Sequence, residues 1–423
     1  MALKNEQIVK LIGRQKTGYS LEQPFYLDTN IYEDDLNGIF MKSWLYAGHE
    51  SEIPNVGDYF LFDFANESVI IIRSKADRIK ALVNVCRHRG SRVCIEAAGK
   101  ASRLVCRYHG WTYGLNGRLQ GAANMPESFD KSSVALKMIH MKRFDGMIFV
   151  NFAEKPAPFE PIRQELSECL RPYRLESTKV AHRQSYPIAA NWKLAVENYS
   201  ECYHCAPSHP EYSLGHGLTM PEEEYADLLT EVMARANSCG LSSKSVSATY
   251  LNSSGLGNDR SYDRYPLIRG HVTGSRDGKP VAPLLGDIKN YDGGATDFQI
   301  GPVTFALAYC DHVMLYRFTP LSVNSTDCDI TWLVNESAEE GKDYDLKELT
   351  WLWDVTTMAD QHIIERNAQG INSRFYEPGP YSNMEDFTQR FVEWYLDTLK
   401  AEVASQDVAQ AIIKHPQGDH LVT

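Results

Sequence analysis

Two short segments, "CRHRG" and "CRYHG", constrain this chain more than any other feature. They place Cys86-x-His88, then seventeen residues, then Cys106-x-x-His109. Each sets one thiol and one imidazole on a tight loop and ends in a glycine, Gly90 or Gly110, which permits close backbone approach. Four such ligands from two loops imply a metal centre. Structural zinc held by two cysteines and two histidines is one reading. Zinc folds usually pair like ligands within a knuckle, however, and a C-x-H half is unusual for them. A [2Fe–2S] cluster with both cysteines on one iron and both histidines on the other suits mixed knuckles. Exchanging two thiolates for neutral imidazoles also raises the reduction potential, which makes the cluster a ready electron acceptor.

The flanking sequence reads as strands. Residues 57–85 are β-branched and aromatic runs separated by polar turns. Asn116-Gly117 is a hairpin signal, and "MIFVNFA" at 147–153 predicts another strand. Residues 42–154 thus form one small, mostly β domain, closed by the Pro-rich junction "EKPAPFEP". A chain of 423 residues has room for a second core. There, "VTFALAYCDHVMLYRFTPL" and "CDITWLVNE" predict antiparallel strands, and 343–373 and 384–405 predict helices. Residues 237–300, rich in Gly, Ser, Asn and Asp, predict a long irregular loop or lid.

The second half carries its own ligand set. In "NWKLAVENYSECYHCAPSHPEY", Glu197, Glu201 and His204 fall at i, i+4 and i+7, one face of a predicted helix that Pro207 interrupts before His209. A solvated acidic face is the plain alternative. Against it, Tyr199, Tyr203, Cys202 and Cys205 crowd the same stretch, and two imidazoles flank the helix break. Further on, Leu346, Leu349, Trp353, Thr356, Asp360 and Ile364 follow a 3–4–3–4–4 spacing. Asp360 therefore lies in a mainly apolar stripe, where a carboxylate is costly unless paired with an arginine or bound to metal. Glu365 and His362 point elsewhere. Two histidines and one carboxylate make a facial triad that leaves positions on ferrous iron open.

The run "CRHRGSRVC…CRYHGWTYGLNGRL" resembles the Rieske motif of the Rieske non-haem iron oxygenases, including the Arg-Gly after the first histidine and the Gly-Trp after the second. "NWKLAVENY" with E-x-x-H-x4-H resembles the family's catalytic helix, and "DQHIIERNAQG" its late carboxylate segment. The resemblance implies an α+β chain of three parts: an N-terminal segment (1–41) packing on the catalytic domain, an all-β Rieske domain (42–154) and a helix-grip catalytic domain (155–423). It implies a [2Fe–2S] cluster on Cys86, His88, Cys106 and His109, and mononuclear Fe(II) on His204, His209 and Asp360. It further implies a separate flavin or iron–sulfur reductase and a homotrimer, in which an acidic residue bridges the iron site to a Rieske histidine of a neighbouring subunit. Ring-hydroxylating members generally carry Asp at that position; here it is Glu201, and "ECYHC" with "YEPGPYSNMEDF" (376–387) resembles the branch that oxidises quaternary ammonium compounds such as glycine betaine or carnitine. Oxidation of an N-methyl group, releasing formaldehyde, is the expected activity. An aromatic-ring dioxygenase forming a cis-diol is the alternative.

Composition limits the partners. The net charge of −12 disfavours nucleic acid and anionic membranes. No apolar run is long enough to span a membrane, and the N-terminal residues lack the core of a secretory signal. Nine scattered cysteines argue against a disulfide scaffold, so a cytoplasmic location is expected.

Overall fold

The computed structural model describes residues 2–218, 220–245 and 260–414, with side chains to residue 407. Three helices open the chain: α1 (Asn5–Arg14), α2 (Pro24–Leu27) and α3 (Thr29–Gly38). Ten strands follow: β1 (Leu45–His49), β2 (Asp58–Phe64), β3 (Glu67–Lys75), β4 (Arg78–Val83), β5 (Ala98–Lys100), β6 (Leu104–Val105), β7 (Thr112–Tyr113), β8 (Leu119–Gly121), β9 (His140–Phe144) and β10 (Met147–Asn151). They make three small antiparallel sheets, ordered β4-β3-β2-β5, β6-β7-β8 and β1-β10-β9. The apolar run "VIII" in β3 reflects burial on both faces. Val69 and Ile71 enter one core, while Ile70 and Ile72 enter a second that also holds Cys86 and Cys106.

The second half starts with α4 (Glu160–Leu170) and the long strand β11 (Thr178–Ile188). Helices α5 (Trp192–Tyr199), α6 (Cys205–Ser208), α7 (Pro210–Gly215) and α8 (Glu222–Cys239) come next. Strands β12 (Arg260–Pro266), β13 (Gly294–Ile300), β14 (Thr304–Ala308), β15 (Val313–Ser322) and β16 (Ser325–Asn335) precede the long helices α9 (Leu346–Ile371) and α10 (Asp386–Lys414). The six strands form one antiparallel sheet, β11-β16-β15-β14-β13-β12. Strand alternation divides its core: Met314, Tyr316 and Phe318 of β15 face the helices, and Val313 and Leu315 face away.

The expectation of an irregular 237–300 segment is corrected in part. Helix α8 runs to Cys239, and β12 and β13 form one side of the six-stranded sheet; residues 246–259 lie outside the described part. The sequence "RSYDRYP" hides a strand because its inward positions are charged. Arg264 is buried, pairing with Asp292 and donating to Tyr173 Oη at 2.9 Å, so burial of charge is compensated locally.

The N-terminal helices pack on α5 and α10. Lys193 and Asp35, both wholly buried, form an ion pair, and Trp192 Nε1 donates to Asp35 at 3.0 Å. Tyr26 donates to both oxygens of Glu197 at 3.0 Å. Tyr376 and Tyr381, from the 376–387 segment, stand close to that same pair, and Tyr376 donates to the Leu21 carbonyl at 2.9 Å. The segment therefore braces the wall behind α5. Among the described residues, no helix is long and apolar enough to cross a membrane.

Candidate active site

Cys86 and Cys106 sit on two loops built alike. In the first, the Gly90 amide donates to the Cys86 carbonyl (3.0 Å) and the Cys86 amide to the Ser91 carbonyl (2.8 Å). In the second, Gly110 donates to Cys106 (2.9 Å) and Cys106 to Trp111 (2.9 Å). Both glycines adopt positive φ, +80° and +71°, a backbone conformation that residues with side chains rarely take up. The two thiols are buried, whereas His88 and His109 are exposed with ring centroids 4.6 Å apart. The Trp111 ring stacks on His88 at 4.9 Å and fixes its plane. This asymmetric donor set fits a two-iron cluster with a thiolate side inside and an imidazole side at the surface.

Sequence reasoning missed Tyr113. Its hydroxyl accepts from the Arg87 amide at 3.0 Å, which leaves the phenolic hydrogen for the Cys86 sulfur at 3.2 Å. The only signal was its place in "GWTYG". Cys94 is an ordinary buried cysteine of this core.

The second site forms where α5 stops. Asn191 caps the start of α5, accepting from the Lys193 amide, and anchors it by donating to the Tyr26 and Val323 carbonyls. The single helix expected through His204 is corrected: α5 ends at Tyr199, so Glu197 and Glu201 do not share a helical face. Ser200 Oγ bonds back to the Val196 carbonyl at 2.7 Å, and the Glu201 carboxylate takes the amides of Tyr203 and His204. These local bonds replace the helical ladder. Glu197 stays with Tyr26, while Glu201 turns to His204, with Oε1 2.6 Å from Nδ1. Cys202 and Cys205, which bracket His204, are joined by a disulfide, a local link among seven free, buried cysteines.

Helix α9 delivers Asp360. Asp345 caps its start by accepting from the Lys347 and Glu348 amides, and Leu349, Trp353, Thr356 and Ile364 are buried along the stripe. Asp360 Oδ1 lies 2.8 Å from His209 Nε2 and 3.2 Å from His204 Nε2. The arginine alternative is absent: none pairs with Asp360 among the described residues. Glu365 instead accepts from the Ala189 amide at 3.0 Å, and His362 is exposed.

The ligand atoms of His204, His209 and Asp360 all lie within 4.8 Å of one another. Burial lowers the His204 pKa, but its hydrogen bonds to the Asp360 and Glu201 carboxylates outweigh it and raise it to about 9. Burial pushes Asp360 upward, and its two imidazole partners hold it below the usual carboxylate value. Two nitrogens and one carboxylate oxygen brought this close together suit a divalent cation with open positions. Rings lie near the triad: Tyr212 and Tyr316 are within electrostatic reach of Asp360, Trp353 contacts both (5.5 and 6.1 Å), and Tyr199 stacks on Phe305 at 4.3 Å and lies 5.4 Å from Tyr316.

Residues 43–139 match the Rieske [2Fe-2S] domain, and residues 175–401 match the catalytic domain of the ring hydroxylating alpha subunit. The chain belongs to the Rieske non-haem iron oxygenases, as an oxygenase component carrying a [2Fe–2S] cluster and a mononuclear iron. It is an O2-dependent oxidoreductase. It is 38% identical over 389 residues to the glycine betaine monooxygenase oxygenase subunit of Pseudomonas aeruginosa (strain UCBPP-PA14), covering 90% of this chain and 89% of that one. Against the corresponding subunit of Chromohalobacter salexigens the identity is 36% over 419 residues, covering 97% and 93%. In fold it is similar to a solved quaternary ammonium Rieske monooxygenase, with a TM-score of 0.67 at 22% identity over 95% of this chain and 99% of that one.

Proposed function

We propose that this chain is the terminal oxygenase that hydroxylates an N-methyl group of a quaternary ammonium compound such as glycine betaine. Insertion of one oxygen atom into the C–H bond, with the other leaving as water, consumes two electrons and two protons. The product carbinolamine collapses to formaldehyde and the demethylated amine. The observation that carries the reading is the set of aromatic rings beside the triad. A quaternary nitrogen has no N–H to donate, so ring faces are its natural partners, each contributing roughly 0.5–2 kcal/mol. The two relatives aligned along nearly the whole chain, both glycine betaine monooxygenase subunits, favour the same substrate class.

In this reading Cys86, His88, Cys106 and His109 hold the cluster, and His204, His209 and Asp360 hold the iron, which supplies O2 activation when bound. The division into residues 1–41, 42–154 and 155–423 follows the same functional split. His88 and His109 are exposed, and among the described residues no bond joins them to Glu201 or His204. A route to Glu201 from a neighbouring subunit of a homotrimer accounts for both facts. Tyr203, 56% exposed, marks the surface there. Electrons from NAD(P)H arrive through a separate reductase. Cytoplasmic residence agrees with the five buried cysteines that neither the disulfide nor the cluster uses.

The test is formaldehyde release from glycine betaine, carnitine and stachydrine with a competent reductase. Release from one of them is expected. Silence with all three, and a cis-diol from an arene, would replace this reading with ring dihydroxylation.

A further inference from the structure

Asp297 lies on β13, with Asp263 of β12 and Leu307 of β14 as its cross-strand neighbours. Neighbours across a ladder share a face of the sheet. That face also carries Phe305 and Tyr316, whereas the adjacent Phe298 turns into the opposite core. Asp297 therefore points toward the helices that hold the triad. It is enclosed by protein yet keeps some solvent-accessible surface, as do Tyr199 and Tyr212.

The charge of Asp297 is poorly met. Its hydrogen bond is a long one, 3.3 Å from Tyr199 Oη, and no lysine or arginine pairs with it among the described residues. The other charge acting on it is a second carboxylate, Asp263, exposed on the edge strand. An enclosed carboxylate with one weak donor is expensive to keep. Aromatic rings connect it to the iron ligands. Tyr199 stacks against Phe305 and lies 5.4 Å from Tyr316, which meets Trp353 two turns before Asp360 on α9. Tyr212, three residues after His209, lies within electrostatic reach of both Asp297 and Asp360.

We propose that Asp297 is the counter-ion of a cation subsite beside the iron triad, walled by Tyr199, Tyr212, Tyr316 and Trp353, that takes the trimethylammonium group of the substrate. The proposal rests on the quaternary ammonium reading above and adds the residue that selects for charge. A trimethylammonium group spreads its charge over its methyl surface, so a carboxylate at the cavity wall attracts it without a hydrogen bond while ring faces fill the remaining directions. Asp263, nearer the solvent on the same face, extends the negative field toward the surface, where it draws cations inward.

The test is binding to the holoenzyme by calorimetry, with KM measured in parallel. The ligands are glycine betaine, tetramethylammonium and the carbon isostere 3,3-dimethylbutanoate, in which an uncharged quaternary carbon replaces the ammonium nitrogen. Cluster spectrum and iron content verify that Asp297→Asn is folded and loaded. This variant should weaken both quaternary ammonium ligands by about tenfold or more, with no loss for the carbon isostere, and Asp297→Glu should recover part of the affinity. Equal affinity of wild type and Asp297→Asn for the cations would overturn the subsite alone. An equal loss for the isostere would also overturn it, by making the effect steric. If wild type bound neither cation, the quaternary ammonium reading would fail and the subsite with it.

Discussion

His204 Nδ1 lies 2.6 Å from Glu201 Oε1, three residues earlier in the chain. The contact fixes the imidazole with Nδ1 toward the carboxylate and leaves Nε2 facing Asp360. A carboxylate behind a metal-binding histidine orients the ring and raises its basicity. Replacing Glu201 by Ala should lower turnover by about 10–100-fold. Stopped-flow spectroscopy separates the causes: reduction of the cluster by the reductase should stay normal, and its reoxidation by the second site should slow. Normal reoxidation would remove Glu201 from the electron path.

Tyr113 offers a second, independent measurement. Its phenolic hydrogen points to the Cys86 sulfur. Hydrogen bonds to cluster sulfurs stabilise the reduced state and raise the potential. Tyr113→Phe should therefore lower the midpoint potential in a redox titration while preserving the EPR line shape. An unchanged potential would mean that the hydroxyl serves packing alone.

Burial pushes the Glu197 carboxyl up to about 8, against the opposing pull of Tyr26 and Lys193 and with a small push from Glu385. Its value in the folded chain thus exceeds the unfolded one. Its contribution to stability is whole below about pH 4 and is lost as pH rises through 8. Glutamine cannot ionise, so Glu197→Gln should melt higher than wild type at pH 8, by about 4 °C more than any difference at pH 5. A pH-independent difference would show that Glu197 stays charged.

Asp297 gives the analogous prediction for substrate. Burial pushes its carboxyl up to about 7, aided by Asp263 and opposed by Tyr199. Only the ionised form attracts a cation, so KM for glycine betaine should fall by about tenfold between pH 6 and pH 8. The groups facing it are Tyr199 from α5, Tyr212 from α7, and Asp263 and Tyr265 from β12; burial holds the three phenols neutral across this range. Asp297→Asn should flatten the profile.

The two ligand sets were legible in the sequence for a physical reason. Cys86, His88, Cys106 and His109 act through loops whose geometry is local, and Asp360 sits on one uninterrupted helix whose apolar stripe marks its inward face. The break after Tyr199 was not legible, because Ser200 and Glu201 divert the helix through side-chain bonds that periodicity does not reveal. Strand β12 was hidden by charges that tertiary partners neutralise, as Asp292 does for Arg264. Asp297 could not be singled out in the sequence. Its meaning comes from neighbours on α5, α7 and α9, far apart in the chain.

The central claim is that one chain holds two unlike iron centres, one of which feeds electrons to the other. Metal and sulfide analysis with EPR tests it most directly. Wild type should contain about three irons and two acid-labile sulfides per chain with a Rieske-type signal, and Asp360→Ala should lose about one iron and all turnover while keeping that signal. A single zinc without sulfide, or full turnover by Asp360→Ala, would contradict the account.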